Sequence, residues 1–216
     1  MSDGYSRRET IFKACRLDGT LSADFGTFPG SEFFMQVRTV GGGMQMSARL
    51  IPFGKFAMQA VAPERFYFSS GDSHQVEAYA PSGQLERIIR LDRELVPVTA
   101  ADLDRYIERA TADAEDENQA RQVREGFDEM PVADFMPAFA ELEADALGYL
   151  WIEEYSALRN APSTFTILDP DGAVVGSLTL PTELAVLEIG ADYLLGLYRD
   201  ELEVEYVHLY RLTRPE

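Results

Sequence analysis

The sequence predicts an all-β fold of repeated antiparallel hairpins, interrupted once by helix. Three observations predict it. Residues 12–28, 76–91 and 165–180 share one template: a short apolar run, a polar turn with glycine at a fixed offset (Gly19, Gly83, Gly172), and a second run that resumes at Leu21, Leu85 or Val174. Aromatic-rich strand–corner–strand segments lie beside the second and third copies. Helical spacing is confined to one stretch between residues 99 and 129.

Taken in order, residues 1–10 are polar and charged and are expected to be a disordered N-terminal segment. The first hairpin follows at 11–30. Glycine in its turn supplies the positive φ that other residues adopt only at a cost. Asp169-Pro170-Asp171-Gly172 adds proline to preset φ and aspartate to bond the local backbone, so these carboxylates read as turn formers rather than metal ligands. Cys15, the only cysteine, sits in an apolar run and is expected to be a small buried side chain. No internal disulfide is possible.

Gly41-Gly42-Gly43 lacks a following Lys-Ser/Thr and reads as an inter-strand loop, not a phosphate cradle. Ser69, Asp72 and His74 lie too close in sequence for a triad and read as a polar turn. The paired elements are Ala62-Pro63-Glu64-Arg65-Phe66-Tyr67-Phe68, then residues 144–152, then residues 189–198; each suits a strand, a tight corner and an aromatic strand. Thr99 with Asp102 three residues on reads as a capped helix start. Leu103, Ile107 and Phe127 are the expected packing residues, on one frayed helix or two antiparallel ones, and Met130-Pro131 ends the run. A lid over a channel and a solvated decoration are both open for this insertion.

Four antiparallel strands per unit with aromatic and glycine punctuation point to a partial β-propeller of four-stranded blades with a helical insertion. Residues 144–152 (ADALGYLWI) followed by 165–172 (FTILDPDG), with Phe25-Gly26-Thr27-Phe28-Pro29-Gly30 and Val76-Glu77-Ala78-Tyr79, resemble the six-bladed NHL-like propeller proteins of bacteria. The resemblance covers most of residues 11–213 outside the insertion. It divides the chain into a partial blade at 11–30, a blade at 31–92, a blade with the insertion at 93–182, and an incomplete last blade at 183–213. A full ring needs about 40–50 residues per blade, so 216 residues resemble the C-terminal half of one. A bare blade face of about 500 Å² represents about 12 kcal/mol of unrealised apolar burial. A homodimeric ring, a missing N-terminal half or aggregation is therefore expected.

Charge narrows the partners. With 19 basic and 37 acidic residues the net charge is −18, which disfavours nucleic acid and anionic membrane surfaces. The N-terminus has no apolar signal-like core and no later run is long enough to span a bilayer. Localisation is left open, because full-length members of the resembled family are often exported. Two functional classes follow. The first is a non-catalytic module binding a protein or small-molecule ligand, with no cofactor and no catalytic residues. The second is a lactonase-like, metal-dependent hydrolase with calcium at channel-mouth carboxylates, for which Glu153, Asp200 and His208 are the candidate ligands. In the latter region Glu201, Glu203 and Glu205 are expected to alternate onto one exposed strand face.

Overall fold

The computed structural model describes residues 4–112, 114–158 and 161–214, with side chains for all of these except 38–40. Four antiparallel sheets make up the fold. β1 (Gly4–Cys15), β2 (Leu21–Val40) and β3 (Gly43–Leu50) form the first, in the order β1-β2-β3. β4 (Met58–Ala62), β5 (Arg65–Ser69), β6 (Gln75–Tyr79) and β7 (Leu85–Arg90) form the second in chain order. Helices α1 (Ala100–Thr111) and α2 (Glu117–Asp128) intervene. β8 (Phe139–Ala144), β9 (Leu150–Glu154), β10 (Ser163–Leu168) and β11 (Val174–Leu180) form the third sheet. The last has three strands, β12 (Leu184–Ile189), β13 (Tyr193–Arg199) and β14 (Glu205–Arg211), with β14 at its edge.

The sheets stack as leaves because their strands alternate side chains between two faces. On β5, Phe66 and Phe68 point back to Phe12, Phe25 and Phe28 of the first sheet, while Tyr67 points forward. Tyr67 joins Val76, Phe139, Leu142, Leu150 and Ile152 in a core shared by the second and third sheets. On β9 the phase repeats: Trp151 points the other way, into a cluster with Phe165 of its own sheet and Leu184, Ile189 and Leu194 of the last sheet. This is the layering of a partial β-propeller. The two middle blades are covered on both faces and the terminal sheets on one.

Among the described residues one turn is used five times. At residues 16–20, 80–84, 145–149, 169–173 and 200–204 the first N–H donates to the fifth carbonyl at 2.8–3.1 Å, and the fourth N–H donates to the first carbonyl at 2.9–3.0 Å. The fourth residue is left-handed in each: Gly19, Gly83, Gly148, Gly172 and Glu203, at φ 83°, 88°, 86°, 83° and 63°. That is a type I turn followed by a left-handed residue, a common three-residue hairpin loop. Asp145, Asp169 and Asp200 open three of them, and each Oδ1 accepts the amide of the fifth residue at 2.9 Å.

At the Asp145 corner the turn becomes part of the core. Its carboxylate is fully buried and also accepts from Trp151 Nε1 at 3.0 Å and from Arg214 Nη1 at 2.8 Å. Arg214 lies over the Tyr149 ring and donates to the carbonyls of Gly190 and Ala191 in the last sheet. One buried ion pair thus bolts the third and fourth sheets together.

The insertion is two helices rather than one. The Thr99 and Asp102 side chains and backbone amides form the reciprocal cap expected. Asp116 caps α2. The pair lies on the first sheet: Phe127 packs with Phe34, Ile51 and Met130, and Tyr106 stands between Phe53 and Phe127. Leu103 and Ile107 are half-buried. No helix among the described residues is long and apolar enough to cross a membrane.

Three expectations are corrected. Residues 4–10, expected to be disordered, are paired strand within β1, held by the cross-strand register Gly4↔Met35 to Glu9↔Pro29; residues 1–3 lie outside the described residues. Residues 31–50 belong to the first sheet, so the second blade begins at Met58 rather than 31. β2 runs through Pro29-Gly30 because Gly30 lets the Arg8 carbonyl approach to 2.2 Å of where a Cβ would stand. Cys15 is exposed, since Phe12 and Ala14 take the inward phase of β1.

Candidate functional site

The three expected metal ligands do not form one centre. Asp200 is held in its turn by the amides of Leu202 and Val204, both at 2.9 Å, and the Val204 bond leads in holding its carboxyl below the usual range. His208 lies mid-strand on β14, stacked on Tyr198 at 4.9 Å, with Nδ1 2.9 Å from the Tyr210 hydroxyl. Glu153 is on β9 of the neighbouring blade, opposite Glu141 on β8 and Phe165 on β10. Glu201 and Glu203 are in the turn, so only Glu205 of the expected alternation is strand.

Glu153 does have acidic company that the sequence reading missed. Glu141 and Glu143 share its sheet face through the β8–β9 register. Burial, then the charges of Glu141 and Glu153, pushes the Glu143 carboxyl up to about 7. Burial and then Glu153 also raise Glu141. Alternation along FAELEA was the available signal. Among the described residues no three His, Cys, Asp or Glu side chains are arranged to hold a metal ion.

Two clefts border the second blade. The smaller, of about 340 Å³, lies where β1, the 51–57 loop and the segment after α2 meet. Its charged groups serve the protein itself. Arg7 donates to the Gly30 carbonyl at 2.9 Å, to Asp72 at 2.7 Å and to the Ser70 carbonyl at 2.9 Å. Glu32 accepts from the Tyr5 hydroxyl at 2.8 Å and the Lys55 amide at 2.7 Å. Lys55 is buried, and its ammonium donates to the carbonyls of Phe53 and Phe135. Burial lowers the Lys55 pKa, against the pull of Glu32 and Asp72. Burial alone would raise the Asp72 carboxyl, but the hydrogen bonds from Arg7 and Ser70 bring it below the usual range. Phe53, at φ 57°, is a bulky residue in the left-handed region, held there by Tyr106 and by the Lys55 contacts. This cluster fastens the first sheet to the second blade.

The larger cleft, of about 360 Å³, opens between β2 and strands β5 and β6. That is within the size of small-molecule sites. Behind it Phe25, Phe28, Phe68 and Tyr79 pack on one another, with Phe28 and Phe68 rings 4.3 Å apart and Phe28 and Tyr79 edge-to-face at 5.6 Å, so the surface open to the cleft is mostly polar. Ser73, Gln75 and Glu77 line the polar side. Glu77 is its one charged lining residue and accepts from the Tyr79 hydroxyl at 2.5 Å. Burial and then that hydrogen bond push the Tyr79 phenol well above its ordinary value. The Phe25–Pro29 and Val76–Tyr79 motifs were visible in the sequence as strand signatures; that they face each other was not.

No protein-family model matches the chain, and no curated protein matches it.

Proposed function

We propose that the chain is a non-catalytic ligand-binding module, a partial six-bladed propeller of the bacterial NHL-like kind, that takes a small organic amine in the cleft between the first sheet and the second blade. The observation that carries this reading is the lining of that cleft: a mostly polar surface of hydroxyl, amide and backbone groups over a buried aromatic cluster, with Glu77 as the single charge. One carboxylate among neutral hydroxyl and amide groups suits a protonated amine, which gains a charge-assisted hydrogen bond at Glu77 and further acceptors beside it. The net charge of −18 draws cations toward the surface and repels anions. The metal-dependent hydrolase alternative has no comparable observation in its favour, since Asp200 and His208 are engaged locally and Glu153 stands in another blade.

Titration with a panel of small amines, polyols and carboxylates, followed by amide resonances, tests the reading. Amines are expected to shift residues 25–29 and 69–79 selectively, and Glu77→Gln to weaken them about tenfold, the worth of one charge-assisted hydrogen bond. If no amine shifts these residues at millimolar concentration, or if carboxylates bind as well, the reading fails.

A further inference from the structure

We infer that β14 is a self-recognition strand, through which two copies of this chain pair edge to edge in antiparallel register about His208. β14 is the unpaired edge of the last sheet, and its other side is fully occupied by β13 from Arg199↔Glu205 to Tyr193↔Arg211. An edge of this length with free amides and carbonyls is a template for another strand, and folded proteins ordinarily guard it with charge, proline or a bulge. Here the edge is regular and its apolar side chains are bare: Val207 is 64% exposed and Leu209 68%.

The occupant is named by the order of the residues. Read outward from His208, the strand Glu-Tyr-Val-His-Leu-Tyr-Arg is complementary to its own reverse. A twofold axis through His208 sets Val207 against Leu209 of the second copy, Tyr206 against Tyr210, and Glu205 against Arg211. Each pairing occurs twice. Apolar meets apolar, aromatic meets aromatic and acid meets base, which are the directly opposed pairs that stabilise antiparallel strands. Charge complementarity singles out a second copy over an unrelated strand. Glu205 already accepts from Arg199 at 2.6 Å within its own sheet, whereas Arg211 is exposed and has no ion pair among the described residues. Pairing gives Arg211 its partner and converts two three-stranded sheets into one six-stranded sheet. The uncovered face of the last sheet, with Leu187 54% exposed on β12, then continues across the axis. An isologous contact of this kind closes at two copies and cannot grow into a fibre. It is independent of the amine cleft, which lies two sheets away.

Sedimentation of the full chain over a concentration series tests it. Wild type is expected to be a dimer. Arg211→Glu sets Glu against Glu at both ends and should raise the dimer dissociation constant at least about tenfold, two reversed pairs at up to about 1 kcal/mol each. The double variant Glu205→Arg with Arg211→Glu should restore dimerisation, which separates lost complementarity from lost folding. In a Cys15→Ser background, His208→Cys should form an intermolecular disulfide on mild oxidation, because residue 208 faces its own copy only in this register. A monomeric wild type, a dimer indifferent to Arg211→Glu, a double variant that stays monomeric, or no disulfide would each overturn the inference.

Discussion

The Asp145 and Asp200 corners are the same turn in two settings. Both aspartates accept the third and fifth amides of the turn at 2.9 Å, and both backbones close with the same pair of hydrogen bonds. At Asp145 the fourth residue is Gly148, the carboxylate is buried, and Trp151 and Arg214 complete its shell. At Asp200 the fourth residue is Glu203 and the turn is solvated. The difference teaches that the turn itself needs little from its aspartate. What magnifies one carboxylate is burial beside an indole N–H and the guanidinium of Arg214, for which it is the sole counter-charge within ion-pair distance among the described residues.

The comparison breaks most visibly at Asp145. Asp145→Ala should cost about 3–5 kcal/mol in chemical denaturation, because it leaves the Arg214 guanidinium uncompensated beside the third and fourth sheets. Asp145→Asn should recover only part of this, since an amide keeps one acceptor but not the charge. Next in size is Glu143, on the same blade, whose carboxyl is raised to about 7 by burial and by Glu141 and Glu153. Its folded pKa lies above its unfolded value, so its ionisation destabilises the fold as pH rises from about 4.5 to 7. Glu143→Gln should therefore stabilise by about 1–2 kcal/mol at pH 8 and change little at pH 4, read from denaturation midpoints at the two values.

Glu203→Gly should stabilise by about 1 kcal/mol, because glycine adopts φ 63° without the penalty a side chain carries there. The smallest effect is expected at Asp200→Ala, a fall of a few degrees at most in melting temperature at neutral pH. The Asp200 carboxyl is held below its usual range, chiefly by the Val204 amide, so the contribution is present above the unfolded carboxylate pKa and fades as pH falls through the folded value. If Asp200→Ala proved as costly as Asp145→Ala, the contrast between the two corners would collapse.

The recurrent hairpin was legible because glycine marks the left-handed position at Gly19, Gly83 and Gly172. Where Glu203 takes that position the mark disappears, and the run 201–205 reads as alternating strand although it is mostly turn. The capped start of α1 was legible because Thr99 and Asp102 are local partners. Cys15 was misjudged because apolar neighbours do not tell which phase of a strand faces inward. The polar opening Ser6-Arg7-Arg8-Glu9 gave no sign of order, since what orders it is distant: Arg7 finds Asp72 and the Ser70 carbonyl only once the first sheet meets the second blade. The site followed the same division. Its two halves were visible as motifs, but the facing of β2 on β5 and β6 depends on sheets stacking, which no local pattern records.

Each apolar cluster between sheets is shared by adjacent leaves alone, so information about stability passes only from neighbour to neighbour. Such a chain behaves as a short one-dimensional series of coupled units. Amide exchange should accordingly be slowest in β5, β6, β9 and β10 and quicken toward both ends. Anything that caps an end, another copy included, would slow exchange inward from that end by degrees.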